Sequence, residues 1–497
     1  MKLHIFIPFI AAISVSHATA QGTSSSYEEF RRGIYERYND FRNGMYERYD
    51  EFLAGAWSEY EVIAGQKRTP VPKPRTAPKI QDAPVRMSPH EMKAPTEISS
   101  TATDIPKSQA DRERTKAPVT PESTAAATDV QVEFNFYGIT LHIPESGLEI
   151  PRTVIDKQDL ATRWRQLCKS KKAMALLGSL RSLASELNLN DYLTLELIRD
   201  YVTDRYASSS SASRASLSHF LLVGLGYDVR LGLTCERSGI LLVPLKQDIA
   251  EHPFLKLDGK KYYIFTDKKA GDFDYAHMGI STCDVTSDGS LADIDCTMNN
   301  LALPYRPHHY KIDNGTLHIE GDINANIFPV LRRYPLMRVG DFARSTVQPQ
   351  VRDEIVAQLS SQLAGKPLPQ AVDELLKFIQ NGFDYATDEE FHGYEKPYFL
   401  EENLFYPKND CEDRAIFYTY MLWNVLGIPN HLIGYPGHES ASVVMDELLS
   451  GDSYHYDGKR YLISDPTYIG ASTGQCMPVY VNESPVIDNV YCSDAHQ

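Results

Sequence analysis

The sequence predicts a mixed α and β protein with more than one domain. A chain of 497 residues is too long for a single hydrophobic core. The stretch VQVEFNFYGITLHI at 130–143 alternates as β-strands do, and helix-like segments follow it over 158–204. Twice further along the chain, a helix-like run ends in Leu-Gly and is followed by strand-like runs. These three observations favour the α+β class.

The chain begins with the features of a secretory signal peptide. Lys2 precedes a short apolar run at 5–15, and small residues at 18–20 form a cleavage sequence. A membrane anchor is the alternative, but the run is shorter than the roughly 20 residues of a spanning helix. We therefore predict a signal peptide at 1–20, no membrane span and an exported protein, periplasmic or extracellular.

Charge and motif content exclude several function classes. The formal net charge is −16, from 50 basic and 66 acidic residues, and no concentrated basic segment is present. Nucleic acid is therefore not an expected partner. The sequence lacks Cys-x-x-Cys and His-x-x-x-His spacings, a phosphate-binding glycine loop and a dinucleotide fingerprint. We expect no metal and no cofactor.

Three consecutive 11-residue units, YEEFRRGIYER, YNDFRNGMYER and YDEFLAGAWSE, occupy the segment that begins at Tyr27. Aromatic and apolar residues recur at offsets 0, 3, 7 and 8, which lie on one face of a helix. We predict a helix at 27–62, although the glycine in each unit weakens it in isolation. Its face at 27–60 either docks on its own chain or serves self-association or capture of another protein.

A segment rich in Pro, Thr, Ser, Ala and Lys follows the repeats and almost lacks large apolar residues. Such a composition cannot form a core, so we predict a disordered linker at 66–129. Beyond it we expect a domain at 130–300, a β-rich connector at 301–345 and a second domain at 346–497.

The two later passages resemble each other in the same order. Residues 209–233 can be overlaid on 410–435 at Leu-Gly, and LDGKKYYIFTD at 257–267 echoes YDGKRYLISDP at 456–466. A duplicated domain is one explanation, and chance is the other, because helix, Leu-Gly and strand is a common arrangement. Without gaps, the overlay pairs Ser210 with Cys411, Arg237 with His438 and Thr266 with Asp465.

The second passage contains three residues suited to nucleophilic catalysis. Cys411 begins a helical pattern after Asn409 and Asp410, either a suitable N-cap, where backbone N–H groups and the helix dipole stabilise a thiolate. His438 opens a strand after a Pro-Gly turn, and Asp465 ends the following strand. Neighbouring strands lie about 4.8 Å apart, so the carboxylate can reach the imidazole and fix its tautomer.

Four nearby residues bear on this assignment. Glu412 and Asp413 are negative neighbours that oppose thiolate formation, so we expect their side chains to point away from the sulfur. His431 and His455 are alternative bases. Because His431 lies inside a strand pattern and His455 beside a predicted turn, we expect both to be structural.

The order of Cys at a helix start, His on a strand and Asp before Pro resembles the transglutaminase-like superfamily of papain-like thiol enzymes. The words DCED, LGIP, GYPGH and DPT, with FIQNGFDYATD upstream, are similar to the core of that family over 350–470. The resemblance implies a catalytic domain in which a helix packs on an antiparallel sheet, preceded by a degenerate copy of the same domain. One departure is Glu439-Ser440, where family members commonly carry an aromatic or apolar residue after the His.

The resemblance also assigns roles. Cys411 attacks a carbonyl as nucleophile, His438 transfers the proton, Asp465 orients His438, and the backbone N–H of Cys411 helps to hold the oxyanion. Tyr406 is the candidate side-chain donor to the oxyanion by its position. Weaker candidates are Asn403 and Gln380.

Seven cysteines lie beyond the signal peptide, and export favours disulfides. If Cys411 stays reduced, nearest-neighbour pairing predicts the bridges 283–296, 476–492 and 168–235. The alternative is that several are buried free thiols.

The predicted function is an exported cysteine hydrolase that acts on peptide or protein amide bonds through a thioester acyl-enzyme. A protein-crosslinking acyltransferase and a non-catalytic binding or scaffold protein are the alternatives.

Overall fold

The computed structural model describes residues 57–61, 130–154, 156–266, 279–283, 291–298, 300–345, 348–445 and 449–491. The predicted signal peptide, the predicted linker and most of the predicted repeat helix lie outside these residues. The described chain combines helices with largely antiparallel sheets, so the predicted α+β class is confirmed. Among the described residues, no helix combines the length and the apolar composition needed to cross a membrane.

The end of the predicted repeat helix is a strand. Residues Trp57–Glu61 form β1, which pairs antiparallel with β8 at Gly279–Cys283. The helix prediction for 27–62 is therefore wrong at these residues. Trp57 and Tyr60 are aromatic residues that favour strands, and the edge of β8 offers unpaired backbone groups that a strand can bind.

The first part of the chain contains a β-hairpin, four helices and a six-stranded sheet. The hairpin β2 and β3 and the helices α1 to α4 come first: Gln131–Phe136, Ile139–Pro144, Lys157–Lys169, Lys171–Glu186, Asp191–Arg205 and Ser211–Leu225. The strands β4 to β7 follow: Arg230–Thr234, Gly239–Val243, Phe254–Leu257 and Lys260–Phe265. The first sheet has the order β1-β8-β4-β5-β7-β6 and is antiparallel throughout.

Helix α4 is the buried helix of this part. The Ser210 hydroxyl caps it by accepting a hydrogen bond from the N–H of Ser213 at 3.2 Å. The helix ends at Gly226, whose φ of 102° is readily adopted by glycine. Residues 212–224 are all buried, and the helix packs on β4 and β5.

A hairpin and several short helices occupy the predicted connector. The elements β9, β10, a 3₁₀ turn, α5 and α6 are Pro307–Asp313, His318–Asn324, Ala325–Ile327, Phe328–Leu331 and Val339–Ala343, and helix α7 follows at Pro349–Leu363. The Gln362 amide both accepts from the N–H of His318 and donates to its C=O, at 3.0 and 2.7 Å. Gln358 does the same for Glu320, at 3.0 and 2.8 Å. These side chains satisfy the backbone of β10 along its free edge.

The last part of the chain places one long helix against a five-stranded sheet. The elements α8, β11, α9, α10, β12 and α11 are Leu368–Gly382, Asp384–Tyr385, Asp388–Phe391, Glu402–Phe405, Lys408–Asn409 and Cys411–Leu426. The strands β13 to β17 are Asn430–Tyr435, His438–Val444, Ser453–Tyr456, Lys459–Ile463 and Val486–Tyr491. The second sheet is antiparallel with the order β15-β16-β14-β13-β17, and α11 packs on β13 and β14.

Five strands of the first sheet and the whole second sheet share one strand order. Each has a helix that leads into two consecutive hairpins, and a final strand that returns to pair with the first strand. In strand numbers, β8-β4-β5-β7-β6 corresponds to β17-β13-β14-β16-β15.

The predicted disulfides are wrong. Cys235, Cys296 and Cys476 are free thiols, and each of the three predicted bridges contained one of them. Cys296 and Cys476 are buried, and burial raises the pKa of both thiols. Cys235 is exposed and its S–H donates to the C=O of Gly279 at 3.3 Å. Proximity in sequence did not bring these sulfurs together in space.

The close packing of α4 on β5 can be tested at Gly239. A Cβ there would lie 2.5 Å from the Cα of Ala212 and 2.8 Å from the C=O of Ser211, and backbone atoms cannot move aside. We expect Gly239→Ala to lower the free energy of unfolding by about 1–3 kcal/mol. The control is Gly178→Ala, an exposed helix position with open space around it, where we expect a gain of about 0.5–1 kcal/mol. Denaturant unfolding followed through buried Trp164 measures both, and an unchanged Gly239→Ala midpoint would contradict the packing.

Candidate active site

The helix start at Cys411 is organised as the sequence predicts. Helix α11 begins at Cys411 and has Asp410 as its N-cap. The Asp413 carboxylate accepts hydrogen bonds from the N–H of Asp410 at 3.1 Å and of Tyr398 at 2.8 Å. The Cys411 side chain has no exposed surface. A thiol is therefore held, buried, in the first turn of a helix.

A buried arginine fixes the chain around this helix start. The Arg414 guanidinium donates to Oδ1 of Asn409 at 2.8 Å, to the C=O of Gln380 at 3.3 Å and to the C=O of Phe383 at 2.8 Å. Burial lowers the pKa of Arg414 to about 10. Nothing in the sequence pointed to this residue, because a position one turn into a helix carries no signal of long-range partners.

His438 and Asp465 form the predicted pair. His438 is the first residue of β14, and the preceding turn contains Gly437 at a φ of 78°, which favours glycine. The imidazole Nε2 lies 2.8 Å from Oδ2 of Asp465, and both side chains are buried. Burial acts to lower the pKa of His438, but the charge and hydrogen bond of Asp465, with smaller effects of Glu439 and Glu412, raise it above its ordinary value.

The loop that carries Asp465 is fixed from two directions. The second oxygen of Asp465 accepts from the N–H of Thr467 at 2.8 Å and of Tyr468 at 3.2 Å. The Gln380 amide donates to the C=O of Asp465, Tyr468 and Ala471 at 3.1, 2.9 and 3.1 Å. These three carbonyls occupy the N–H groups of Gln380, so the geometry does not support Gln380 as an oxyanion donor. Its side chain positions the loop instead.

An aromatic ring that the sequence analysis did not single out lies on the imidazole. Tyr480 is nearly parallel to His438, with ring centroids 5.3 Å apart and an interplanar angle of 7°. It also stacks on Tyr435 at 4.9 Å, and Tyr435 and His438 face each other across the β13–β14 hairpin. Burial raises the pKa of Tyr480, and negative charge on Cys411 raises it further. The Tyr480 ring therefore lies near the sulfur as well as on the imidazole.

One expectation about the acidic neighbours is wrong. The Cys411 Sγ donates a hydrogen bond to Oε2 of Glu412 at 3.1 Å, so Glu412 turns towards the sulfur. Glu412 has no exposed surface, and a buried carboxylate that lacks water is stabilised by a nearby donor. When ionised, Glu412 favours the thiol over the thiolate. Asp413 binds backbone N–H groups instead.

The other predicted residues lie in structural contacts. Tyr406 belongs to an aromatic cluster in which it packs on Tyr398 at 5.1 Å and on His392 at 4.9 Å, and its oxyanion role stays a prediction. Asn403 accepts from the Asn409 amide at 2.8 Å and donates to the C=O of Asp413 at 3.3 Å.

The alternative bases are placed apart from this pair. His431 is buried between β-strands, bonds the Tyr454 hydroxyl at 2.9 Å and stacks on Tyr461. Burial lowers the pKa of His431 to about 3, so it is neutral at physiological pH. His455 is exposed on the edge strand β15.

Several acidic side chains lie close together around the helix start, at distances that suit the ligands of a cation. Their ligand atoms lie within 4.8 Å of one another in three overlapping groups: Asp410, Cys411 and Glu412; Asp388, Asp410 and Asp413; and Asp388, Glu395 and Glu412. Carboxylate oxygens are the ligands of hard divalent cations. Protonation is the other way to reduce repulsion here, since burial and the charges of Asp388 and Glu412 raise the pKa of Asp413 well above its ordinary value.

No protein-family model matches this chain, and neither a curated protein nor a solved structure matches it.

The charge of Asp465 is expected to control the protonation of His438. Asp465→Asn leaves burial as the main influence, so the imidazole pKa falls; Glu439→Gln is the matched control with a smaller decrease. A raised folded-state pKa gives stability that is fully present below about pH 6.5 and is lost as the pH rises through that pKa. The unfolding free energies of wild type and Asp465→Asn should therefore differ most at low pH. NMR titration of labelled histidines measures the pKa, and an equal value in the two proteins would contradict the pair.

The Tyr480 stack makes a separate prediction. Tyr480→Ala removes the ring current over His438, so the imidazole proton resonances should move downfield, whereas Tyr480→Phe keeps them near their wild-type positions. The lost aromatic pair should also lower the unfolding free energy by about 0.5–1.5 kcal/mol. Identical imidazole spectra for the Ala and Phe variants would show that the rings do not stack in solution.

Proposed function

We propose that this protein is an exported thiol enzyme of transglutaminase-like type that acts on amide bonds of peptides or proteins. Cys411 is the nucleophile, His438 the base and Asp465 the residue that orients the base. The observation that carries the proposal is the 2.8 Å hydrogen bond between Nε2 of His438 and Asp465. It leaves Nδ1 as the ring nitrogen that has no hydrogen-bond partner among the described residues.

The chemistry follows from this arrangement. The Cys411 thiol gives its proton to Nδ1 of His438, and the sulfur bonds to the carbonyl carbon of the substrate. As the tetrahedral intermediate collapses, the C–N bond breaks and the imidazolium protonates the leaving amine. The remaining thioester is attacked by water, which His438 deprotonates, and the products are a carboxylic acid and the regenerated thiol. Asp465 stabilises the imidazolium in both steps.

The proposal requires a change at the sulfur. In the described geometry the thiol proton points to Glu412, and Cys411 and His438 are 0% and 3% exposed. Rotation of the Cys411 side chain about its single χ1 bond would turn the sulfur from Glu412 towards the imidazole. Access of a substrate carbonyl additionally requires movement of a covering segment. The same burial is the observation that favours the rival function, a non-catalytic binding or scaffold protein.

Two outcomes of the thioester remain part of the proposal. Release by water makes the enzyme a hydrolase, and release by an amine makes it a protein-crosslinking acyltransferase. Hydrolysis is the primary proposal because water is the abundant acceptor. Export to a periplasmic or extracellular compartment is supported by the composition of residues 1–20.

We infer that the two sheets belong to duplicated domains, of which the first is degenerate. The shared strand order supports this, and so does one pair of contacts. Arg230 lies over the ring of Tyr262 at 4.5 Å, and His431 stacks on Tyr461 at 3.9 Å. Each tyrosine is the third residue of its strand, and each contact spans the strand between them.

The strand register corrects the overlay at one position. The N–H of Thr234 donates to the C=O of Ser238 at 2.9 Å, in the place where Tyr435 pairs with His438. Ser238 therefore corresponds to His438, and the assignment of Arg237 is wrong because the first hairpin loop is one residue longer. With Ser210 at the helix start and Thr266 after β7, the first copy has hydroxyl groups at all three catalytic positions.

The proposal is tested by thiol reactivity and by turnover of the full mature chain. Iodoacetamide should alkylate Cys411 rapidly and in a pH-dependent manner, and His438→Ala should slow this reaction. With a peptide library as substrate, His438→Ala should lower the catalytic rate by about 10²–10⁴-fold, and Cys411→Ala should abolish it. Mass spectrometry with and without an amine acceptor separates cleaved from crosslinked products.

Cys476 is the internal control for reactivity. It is a buried thiol whose pKa burial raises to about 12, so it should stay unmodified while Cys411 reacts. A Cys411 as slow as Cys476, together with no turnover in any library, would overturn the enzymatic function and favour the scaffold.

A further inference from the structure

A cavity of about 200 Å³ lies far along the chain from the candidate active site, between the 148–154 segment and the helices α1 and α4. Half of its twelve lining residues are apolar, namely Leu148, Ile150, Pro151, Val154, Leu160 and Leu167, and the other half are polar. The proposed mechanism does not use this space. An apolar cavity of roughly 150 Å³ is enough to bind benzene, so the volume here accommodates a slightly larger molecule.

One polar group on the cavity wall has no partner. Ser216 lies on α4, is 2% exposed, and its hydroxyl makes no hydrogen bond with the described residues. The neighbouring hydroxyl on the same wall, that of Ser213, is already bonded to the Ser210 hydroxyl at 3.0 Å. A buried hydroxyl without a partner carries a desolvation penalty that a ligand oxygen would remove.

A molecule with an apolar body and one oxygen satisfies both parts of the cavity. The body contacts the apolar part of the walls, and the oxygen accepts a hydrogen bond from the Ser216 hydroxyl.

The charges around the cavity argue against an ionised ligand. Arg163 lines it, but its guanidinium is paired with Asp159 at 2.7 Å. Glu149, also in the lining, is exposed and adds a negative charge. A carboxylate would meet a cation that is already neutralised and an anion that repels it.

We propose that this cavity is a binding site for a small, uncharged, mostly apolar molecule, a little larger than benzene, with one hydrogen-bonding oxygen for Ser216. The site is independent of the proposed catalytic function, because none of its lining residues belongs to the Cys411 site.

Benzyl alcohol, toluene and benzoate are the probes, and ligand-observed NMR with the full chain gives their dissociation constants. Benzyl alcohol should bind about threefold to tenfold more tightly than toluene, which lacks the oxygen, and benzoate should bind most weakly. Ser216→Ala should remove the difference between benzyl alcohol and toluene. Val154→Phe, which puts a ring at the half-buried rim, should weaken both.

The matched control is Ser218→Ala, the same change on α4 at a buried residue that lines a separate small cavity, and it should leave both constants unchanged. Cys411→Ala should also bind as wild type does, which separates this site from the catalytic proposal. Equal affinity of wild type for benzyl alcohol and toluene, tightest binding of benzoate, or no effect of Val154→Phe would each overturn the assignment.

Discussion

The buried start of α11 is the constraint on which the rest of the candidate site depends. Asp410, Glu412, Asp413 and Arg414 have almost no exposed surface, so each must find partners inside the protein. Arg414 donates to the C=O of Gln380 in α8 and to the C=O of Phe383. Asp413 accepts a hydrogen bond from the N–H of Tyr398. These bonds fix the helix start against α8 and the segment at Tyr398, and they fix the position of Cys411 with it.

The same burial creates two opposing electrostatic influences. On the sheet, Asp465 raises the pKa of His438 and so favours an imidazolium, the partner that a thiolate needs. On the helix, Glu412 accepts a hydrogen bond from the thiol and favours the uncharged sulfur. The reactivity of Cys411 is therefore set by which of these neighbours the sulfur faces.

The two sheets share one strand order but differ in a hairpin loop and in how closely a helix packs on them. In the second, a two-residue turn places His438 at the first position of β14, where the charge of Glu412 in the first turn of α11 affects its pKa. In the first, a longer loop, a glycine at 239 and small residues on α4 let the helix lie directly on β5. Two separate cavities lie along α4 in this part of the described chain, one beside Ser216 and one beside Ser218.

The sequence by itself determined the elements that local signals encode. The N-cap before Cys411, the Leu-Gly end of α11, the Pro-Gly turn before His438 and the alternation of β2 and β3 each act over a few residues. The tertiary structure decided the remaining features, because each of them depends on groups that lie far apart in the chain or on burial. The Glu412 contact with the sulfur, the Tyr480 stack, the absence of the three expected bridges and the pairing of β1 with β8 follow from burial and from which strand edges lie free.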